Sequence, residues 1–336
     1  MKTALKQNKS FKIVLAAVIV LVLIVLPNCV SSDYMVRVIN NALLYSVIAM
    51  SANLLMGFCG LLDFGRSAFC ATGAYWSAIL MMKLNVPFII AFLTAGLFSA
   101  ACGMLLGLVS KNAGGDFMTL MTIAFNEIVR LLVQNLKGLT GGTVGLYNIP
   151  SVQFFGIQLN THRTFYYFAL VLAILSFIIL RIVTKSKMGR AFEAIRDDEI
   201  AASFSGIDTG MYRVYCFAVA SFFTGLAGAA MAHYANFASP LLYTTNESLI
   251  ILQMAVLGGL ASLPGSIVGA FIIVIVPELS RTFYEYRMLF TGVIMLLLML
   301  FCPDGLFGKQ GVGKRVIGLA FGRKKKNEGQ TAGGGK

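Results

Sequence analysis

Long apolar stretches separated by short polar breaks dominate this chain. Length and interruption distinguish ten apolar segments, at positions 11–27, 35–57, 67–82, 86–109, 116–135, 163–184, 211–235, 248–260, 264–281 and 288–302. Apolar residues are continuous within each segment and do not alternate with polar ones, which favours helices over the strands of a barrel. Segments of about 18 or more apolar residues can cross a bilayer. The pattern therefore predicts an all-α, polytopic transmembrane bundle of about ten segments.

Two of the breaks are similar to each other. Residues 57–65 (GFCGLLDFG) and 257–265 (LGGLASLPG) interrupt apolar sequence with glycines, and each precedes a Gly-Ala-aromatic step, at 73–75 and 269–271. Broken helices in corresponding positions of two halves indicate an inverted or internal repeat around a central pathway. Glycine is also frequent in membrane helices because it permits close packing, so the similarity has a second explanation. The short, uncharged break at 261–264 predicts that segments 248–260 and 264–281 are half-spanning pieces.

The charge of the chain predicts its orientation. Of the 336 residues, 58% are hydrophobic and 12% charged, with a formal net charge of +13. Basic residues precede the first apolar segment and follow the last, so the positive-inside rule predicts that both termini are cytosolic. An even number of segments agrees, and it places loop 184–210 in the cytosol and loop 136–162 outside. Because the cations lie at the ends and in one loop, we predict no nucleic-acid binding.

The sequences at the two ends of the chain predict a first membrane helix and a basic tail. Residues 11–27 are compatible with a signal peptide, but no small-x-small cleavage site follows, so an uncleaved first helix is favoured. Residues 1–307 are predicted to form the membrane domain, and 308–336 a basic, disordered cytosolic tail near anionic lipid headgroups. Residues 308–314 (GKQGVGK) match a phosphate-binding loop up to its lysine. Arg315 replaces the required Ser or Thr and no strand precedes it, so we predict no cofactor in this chain.

A polar island at 188–207 (MGRAFEAIRDDEIAASFSGI) is the main interruption of the apolar pattern. Its spacing predicts one short amphipathic helix over about 188–206, with Gly206 as a natural stop. Such a helix can dock in a groove of a soluble partner or lie flat on the membrane. The acids in and just after the island, including Glu193 and Glu199, disfavour an anionic leaflet and favour docking.

Polar residues inside segment 116–135 are candidates for a transport path. Asn126, Glu127 and Arg130 lie within an apolar segment, where ionisable residues are costly and usually face the protein interior. Glu127 and Arg130 are spaced i,i+3 and can neutralise each other. They could line a path for a zwitterionic solute or form a structural ion pair near the external end of the helix, and both interpretations stay open. The six cysteines show no paired spacing and are interpreted as small buried hydrophobes. No catalytic constellation and no metal site are predicted.

Several ordered motifs resemble one family. They are residues 61–69 (LLDFGRSAF), 119–130 (TLMTIAFNEIVR), 139–146 (LTGGTVGL), 189–202 (GRAFEAIRDDEIAA), 256–260 (VLGGL) and 303–308 (PDGLFG). Over roughly 35–308 the chain resembles the inner-membrane permeases of ABC importers for branched-chain amino acids, specifically the LivM type. It departs from the family pattern at Asp63 and Arg66, which are spaced i,i+3 and can pair with each other.

The resemblance implies a function and a set of partners. It implies a permease of the bacterial inner membrane, not an enzyme, that works by alternating access. The implied partners are a second, LivH-type permease, two cytosolic ABC ATPases that bind ATP and Mg²⁺, an external solute-binding protein and membrane lipid. A urea or short-chain amide permease of the same family and an ion-coupled secondary transporter are the alternatives.

The candidate site residues fall into two groups. The predicted ATPase-coupling residues are Gly189, Arg190, Glu193, Ala194, Arg196, Glu199, Ala202 and Gly206. The predicted path residues are Gly60, Asp63, Gly65, Asn126, Glu127, Arg130, Gly258 and Gly259.

Overall fold

A computed structural model describes residues 32–111, 115–154, 157–158 and 161–279, together with residues 27, 292, 306 and 307. The helices are α1 (Asp33–Asn53), α2 (Arg66–Leu84), α3 (Phe88–Val109), α4 (Gly115–Asn135), α5 (Lys137–Thr140), α6 (His162–Lys185), α7 (Lys187–Asp197), α8 (Glu199–Phe204), α9 (Thr209–Ala235), α10 (Thr245–Gly258) and α11 (Leu263–Leu279). A π-helical turn (Leu54–Phe58) extends α1, and a 3-10 turn (Pro240–Leu242) precedes α10. The strands β1 (Leu146–Tyr147), β2 (Gln153–Phe154), β3 (Ile157–Gln158) and β4 (Phe237–Ala238) are two residues each.

The predicted helical class is confirmed for this part of the chain. Within the described residues, each predicted apolar segment from 35–57 to 264–281 overlaps a helix, and the break at 261–264 falls at the turn between α10 and α11. With 14 residues, α10 is shorter than a membrane span requires. The predicted segments 11–27 and 288–302 and the basic tail lie outside the described residues. The total of ten segments and the internal repeat stay predictions.

Five described helices are long and apolar enough to cross a membrane, but they are packed very differently. Their spans are Asp33–Phe58, Phe88–Val109, Phe117–Asn135, His162–Lys185 and Thr209–Ala235. The most apolar windows of the α1 and α9 spans are 83% and 78% buried, whereas that of α4 is only 28% buried. Helices α1 and α9 therefore form the centre of the bundle, and α4 lies at its periphery.

Small residues allow the central helices to approach closely. A Cβ atom on Gly73 of α2 would lie 2.1 Å from the carbonyl oxygen of Gly225 on α9, and one on Gly228 would lie 2.2 Å from that of Cys70. Backbones that approach this closely gain van der Waals contact, which is a main source of helix association in lipid. Cys59, Cys70 and Cys216 are buried and free, as the sequence predicted, whereas Cys102 is only partly buried.

The two loops predicted on opposite sides of the membrane lie at opposite ends of α6. At one end, Arg163 pairs with Asp33 at 3.3 Å, and β1 pairs antiparallel with β4 in the register Leu146↔Ala238. At the other end, α7 and α8 follow α6 directly. Since α6 has 24 residues, these ends are about 36 Å apart along its axis.

The polar island forms two helices, so the prediction of a single helix is wrong. Asp198 adopts an extended conformation (φ −160°, ψ 110°) and its carboxylate accepts a hydrogen bond from the N–H of Ala201 at 3.0 Å. It therefore ends α7 and caps α8, which is the usual role of Asp at a helix N-terminus. Gly206 lies just after α8 with φ +83°, as expected for a helix stop.

Candidate transport path and coupling segment

The first glycine-rich break carries the chain from the end of α1 into the middle of the bundle. After the π-helical turn, Gly60 has φ +76° and residues 61–65 run without helical structure to the start of α2 at Arg66. The Arg66 guanidinium donates to Thr224 Oγ1 at 3.1 Å. Thr224 lies about 22 Å from the start of α9 and about 16 Å from its end, at 1.5 Å per residue. The start of α2 is therefore deep inside the bundle and far from either end.

A buried ion pair occupies this position. Arg66 Nε donates to Asp63 Oδ2 at 2.5 Å, as the i,i+3 spacing predicted, and the two side chains are 0% and 1% exposed. Asp63 Oδ1 also accepts from the N–H of Gly65 at 2.8 Å, and the guanidinium lies 5.0 Å from the centre of the Phe69 ring. The carboxylate and the guanidinium Nε therefore neutralise each other, whereas Nη2 of Arg66 is buried without a hydrogen-bond partner among the described residues.

A hydroxyl and amide network continues from this pair toward α4 and α10. Ser67 Oγ donates to Asn126 Oδ1 at 2.8 Å, and lies 2.8 Å from Ser248 Oγ. Asn126 Nδ2 in turn donates to Thr245 Oγ1 at 3.2 Å. Ser67, Asn126 and Ser248 are fully buried. The starts of α2 and α10 therefore meet the middle of α4 at one polar site.

The network ends at a second ion pair that is partly exposed. Thr245 Oγ1 donates to Glu127 Oε1 at 3.0 Å, and Arg130 Nη2 lies 2.6 Å from Glu127 Oε2. The side chains of Arg130 and Glu127 are 28% and 38% exposed. Glu127 lies about 15 Å from the start of its span at Phe117 and about 12 Å from the end at 1.5 Å per residue. The predicted pairing is confirmed, and the pair faces outward at mid-span.

One polar contact in this region was not predicted from the sequence. Tyr45 of α1 donates from its hydroxyl to Glu247 Oε1 in the first turn of α10. Glu247 has no charged neighbour along its own helix, and Tyr45 is distant in sequence, so local spacing does not predict this contact. A carboxylate in an apolar context was the available signal.

The second glycine-rich break forms the turn between α10 and α11. Gly259 has φ +110° and Ala261 φ +58°. A Cβ atom on Gly258 would lie 2.2 Å from the carbonyl oxygen of Gly265, so the two helices touch through their backbones. Asn53, at the end of α1, is fully buried against this turn. Gly258 and Gly259 thus lie at the opposite end of α10 from Thr245 and the polar network.

The predicted coupling residues divide into packed and exposed positions. Gly189 and Ala202 are buried, Ala194 and Arg196 are half-buried, and Arg190, Glu193, Glu199 and Gly206 are exposed. Glu199 pairs with Arg213 of α9, which fixes α8 to the bundle. Phe204, which the spacing predicted on the apolar side of the island, and its neighbour Ile200 are 87% and 69% exposed and form an apolar face on α8.

The predicted path residues do not form a single site. Asp63 and Gly65 lie in the buried break, and Asn126, Glu127 and Arg130 lie in the adjoining network. Gly60 instead lies beside α7, where its Cβ would be 2.9 Å from Arg196 Cγ. Five apolar spans around a polar interior define a multi-pass helical membrane protein, and comparison with known proteins identifies the family.

Residues 34–300 match the family model described as the permease component of branched-chain amino acid transport systems. The LivM permease protein of the high-affinity branched-chain amino acid transport system is 34% identical over 287 residues, in both Salmonella typhimurium and Escherichia coli, covering 79% of this chain and 68% of each relative. The LivH permease protein of Escherichia coli is 24% identical over 289 residues, covering 80% of this chain and 93% of LivH. The ribose import permease protein RbsC of Haemophilus influenzae is 23% identical over 274 residues, covering 80% and 83%. No solved structure matches.

The chain belongs to the branched-chain amino acid transport permease family and is of the LivM type. This confirms the family predicted from the six motifs. It also confirms a multi-pass protein of the inner membrane.

Proposed function

We propose that this chain is the transmembrane permease subunit of an ATP-driven importer that moves branched-chain amino acids inward by alternating access. It forms a pair with a LivH-type permease, receives solute from an external binding protein and is driven by two cytosolic ATPases that hold ATP and Mg²⁺. The relatives named LivM and LivH support both the solute class and the pairing. Both termini are cytosolic in this proposal, and the membrane domain covers 1–307.

The partly exposed Glu127–Arg130 pair is the observation that carries the proposal. It lies at mid-span on α4, the least buried of the five spans. Charged groups at membrane depth face the interior of an assembly or a water-filled cavity, because exposure to lipid is costly. This face of α4 is therefore assigned to the path between two permeases and not to lipid. A carboxylate beside a guanidinium offers both charges that a zwitterionic amino acid requires.

The segment formed by α7 and α8 is assigned to ATPase coupling. Exposed Phe204 and Ile200 provide apolar anchors, and Arg190, Glu193 and Glu199 provide a charged rim. A central apolar anchor with a polar rim is the arrangement that binds a groove on a partner. Glu199 is held by Arg213, so displacement of this segment by a partner acts directly on α9.

The proposal is tested by transport in proteoliposomes that contain the whole complex: this chain, the LivH-type permease, both ATPases and the binding protein. ATP-dependent uptake of labelled leucine is expected from the native complex. We expect Glu127→Gln to lower uptake at least about tenfold, which corresponds to about 1.4 kcal/mol, because Arg130 then holds an uncompensated charge in the path. Assembly of the complex, measured by size-exclusion chromatography, should not change.

Arg163→Gln is the matched control. It removes an ion pair of α6 with α1 that lies at the ends of the helices, and uptake should remain close to native. Uptake of urea in place of leucine would support the amide-permease alternative. Uptake that requires an ion gradient and not ATP would overturn the proposal in favour of a secondary transporter. Native uptake in Glu127→Gln would return this pair to a structural role.

A further inference from the structure

A chain of contacts connects the coupling segment with the far end of α10, and Asn53 lies at its centre. Arg196 of α7 donates from Nη1 to the carbonyl oxygen of Gly57 at 2.9 Å. Gly57 belongs to the π-helical turn that extends α1. The Cβ that an alanine would have at this position would lie 2.0 Å from Asn53 Oδ1 and 2.2 Å from the N–H nitrogen of Ala261. Only glycine lets α7, α1 and the α10–α11 turn meet here.

Asn53 uses its whole side-chain amide on the α10–α11 turn. Its Nδ2 donates to the carbonyl oxygen of Gly259 at 3.0 Å and to Ser266 Oγ at 2.6 Å, and lies 3.2 Å from the carbonyl oxygen of Ser262. Its Oδ1 accepts from the N–H of Ala261 at 2.9 Å. The side chain is fully buried. A single residue of α1 therefore determines the position of a turn more than 200 residues away in sequence.

The other end of α10 holds the proposed transport path. Thr245 donates to Glu127, and Ser248 Oγ lies within hydrogen-bond distance of Ser67 Oγ. Along the helix axis these two residues lie about 20 Å and about 15 Å from Gly258. An α-helix is stiff over this length, so a shift of the turn moves Thr245 as well. π-Helical turns occur frequently at functional sites and can absorb a local change of register. The geometry thus provides a continuous mechanical connection from α7 to the Glu127–Arg130 pair.

We infer that Asn53 is a positioning residue that transmits displacement of the coupling segment to α10 and so to the transport path. The inference rests on the proposed function. Asn53 contacts neither solute nor ATPase in this role. Its effect is to hold the α10–α11 turn to the end of α1, so that movement of Arg196 against Gly57 and movement of Thr245 against Glu127 occur together.

The experiment measures both leucine uptake and ATP hydrolysis by the same proteoliposomes, with the whole complex reconstituted. Asn53→Ala is expected to lower the number of leucines taken up per ATP hydrolysed about fivefold or more, the lower end of typical coupling between two sites. A residue with only a structural role would lower both rates in proportion and leave this ratio unchanged. Ser266→Ala, which removes a single bond of the Asn53 amide, should give a smaller decrease of the same ratio.

Asn40→Ala is the matched control. Asn40 is also a fully buried asparagine of α1, and it donates to the carbonyl oxygen of His162 and to the Tyr234 hydroxyl, about 20 Å from Asn53. This variant should keep the native ratio even where its total activity falls. A variant with substitutions at both Asn53 and Arg196 should take up no fewer leucines per ATP than the worse of the two single variants. The effects do not add because both residues belong to the same chain of contacts.

The outcomes separate the two proposals. An unchanged leucine-to-ATP ratio in both Asn53→Ala and Ser266→Ala overturns the role of Asn53 and leaves the proposed function standing. Fully additive effects of the Asn53 and Arg196 substitutions also overturn it, since they show two independent connections. Absence of ATP-driven leucine uptake in the native complex overturns the proposed function and this inference together.

Discussion

The Asp63–Arg66 pair makes a strong prediction about stability. Asp63→Ala leaves the Arg66 guanidinium fully buried without its carboxylate, and removal of one partner of a buried pair costs about 3–5 kcal/mol. Long chains lose roughly 2 °C of melting temperature per kcal/mol, so a decrease of about 6–10 °C is expected. The measurement is the fraction of purified protein that remains monodisperse in size-exclusion chromatography after heating to a series of temperatures.

A second variant tests the cause of that decrease. Asp63→Ala combined with Arg66→Met removes both charges, and the methionine thioether can keep the contact with Phe69. Because an apolar replacement of a whole buried pair is often neutral or stabilising, this double variant should recover most of the lost melting temperature. Arg163→Gln breaks an exposed pair and should shift it by less than about 2 °C. The reasoning is refuted if the double variant is as unstable as Asp63→Ala alone.

Two further predictions concern the surface and the helix contacts. Phe204→Ala removes an 87% exposed side chain, so we expect weaker binding of the proposed partner ATPase, by about tenfold in pull-down titrations, with no change in melting temperature. Leu97→Ala, which truncates an exposed side chain of α3, serves as its control and should bind normally. Gly73→Ala places a methyl group 2.1 Å from the carbonyl oxygen of Gly225 and should lower the melting temperature by several degrees. Gly138→Ala is the control: its new methyl group meets no atom within 4 Å in a helical turn, so the melting temperature should stay the same or rise slightly. Equal decreases of melting temperature in the two glycine variants would contradict the packing argument.

Local features of this fold were predictable from the sequence, because they depend on short-range pattern. The helices follow the apolar segments, and the Asp63–Arg66 and Glu127–Arg130 pairs follow from i,i+3 spacing. The division of the polar island at Asp198 had a local signal as well. An aspartate followed by Glu199 in a first helical turn is typical of a helix start, and this signal was missed.

Long-range contacts were beyond such prediction. Asn53 lies in an apolar segment and belongs to none of the motifs found in the sequence, and its hydrogen-bond partners are more than 200 residues away. The same is true of the Tyr45–Glu247 hydrogen bond. Arg66 is buried against Thr224 because the break after α1 turns into the bundle. The pattern of apolar residues along the sequence does not show the direction of that turn. Polar residues that act through tertiary contacts therefore became visible only in the structure.

The exposed mid-span face of α4 has a consequence for the life of the protein in the cell. A helix that presents Glu127 and Arg130 outward has no favourable environment until another subunit covers it. Whatever binds only the folded chain raises its stability by mass action, so this stability depends on the amount of the covering subunit. Under the proposed pairing, synthesis of the two permeases in matched amounts becomes a folding requirement, and a surplus of this chain is the form most exposed to degradation.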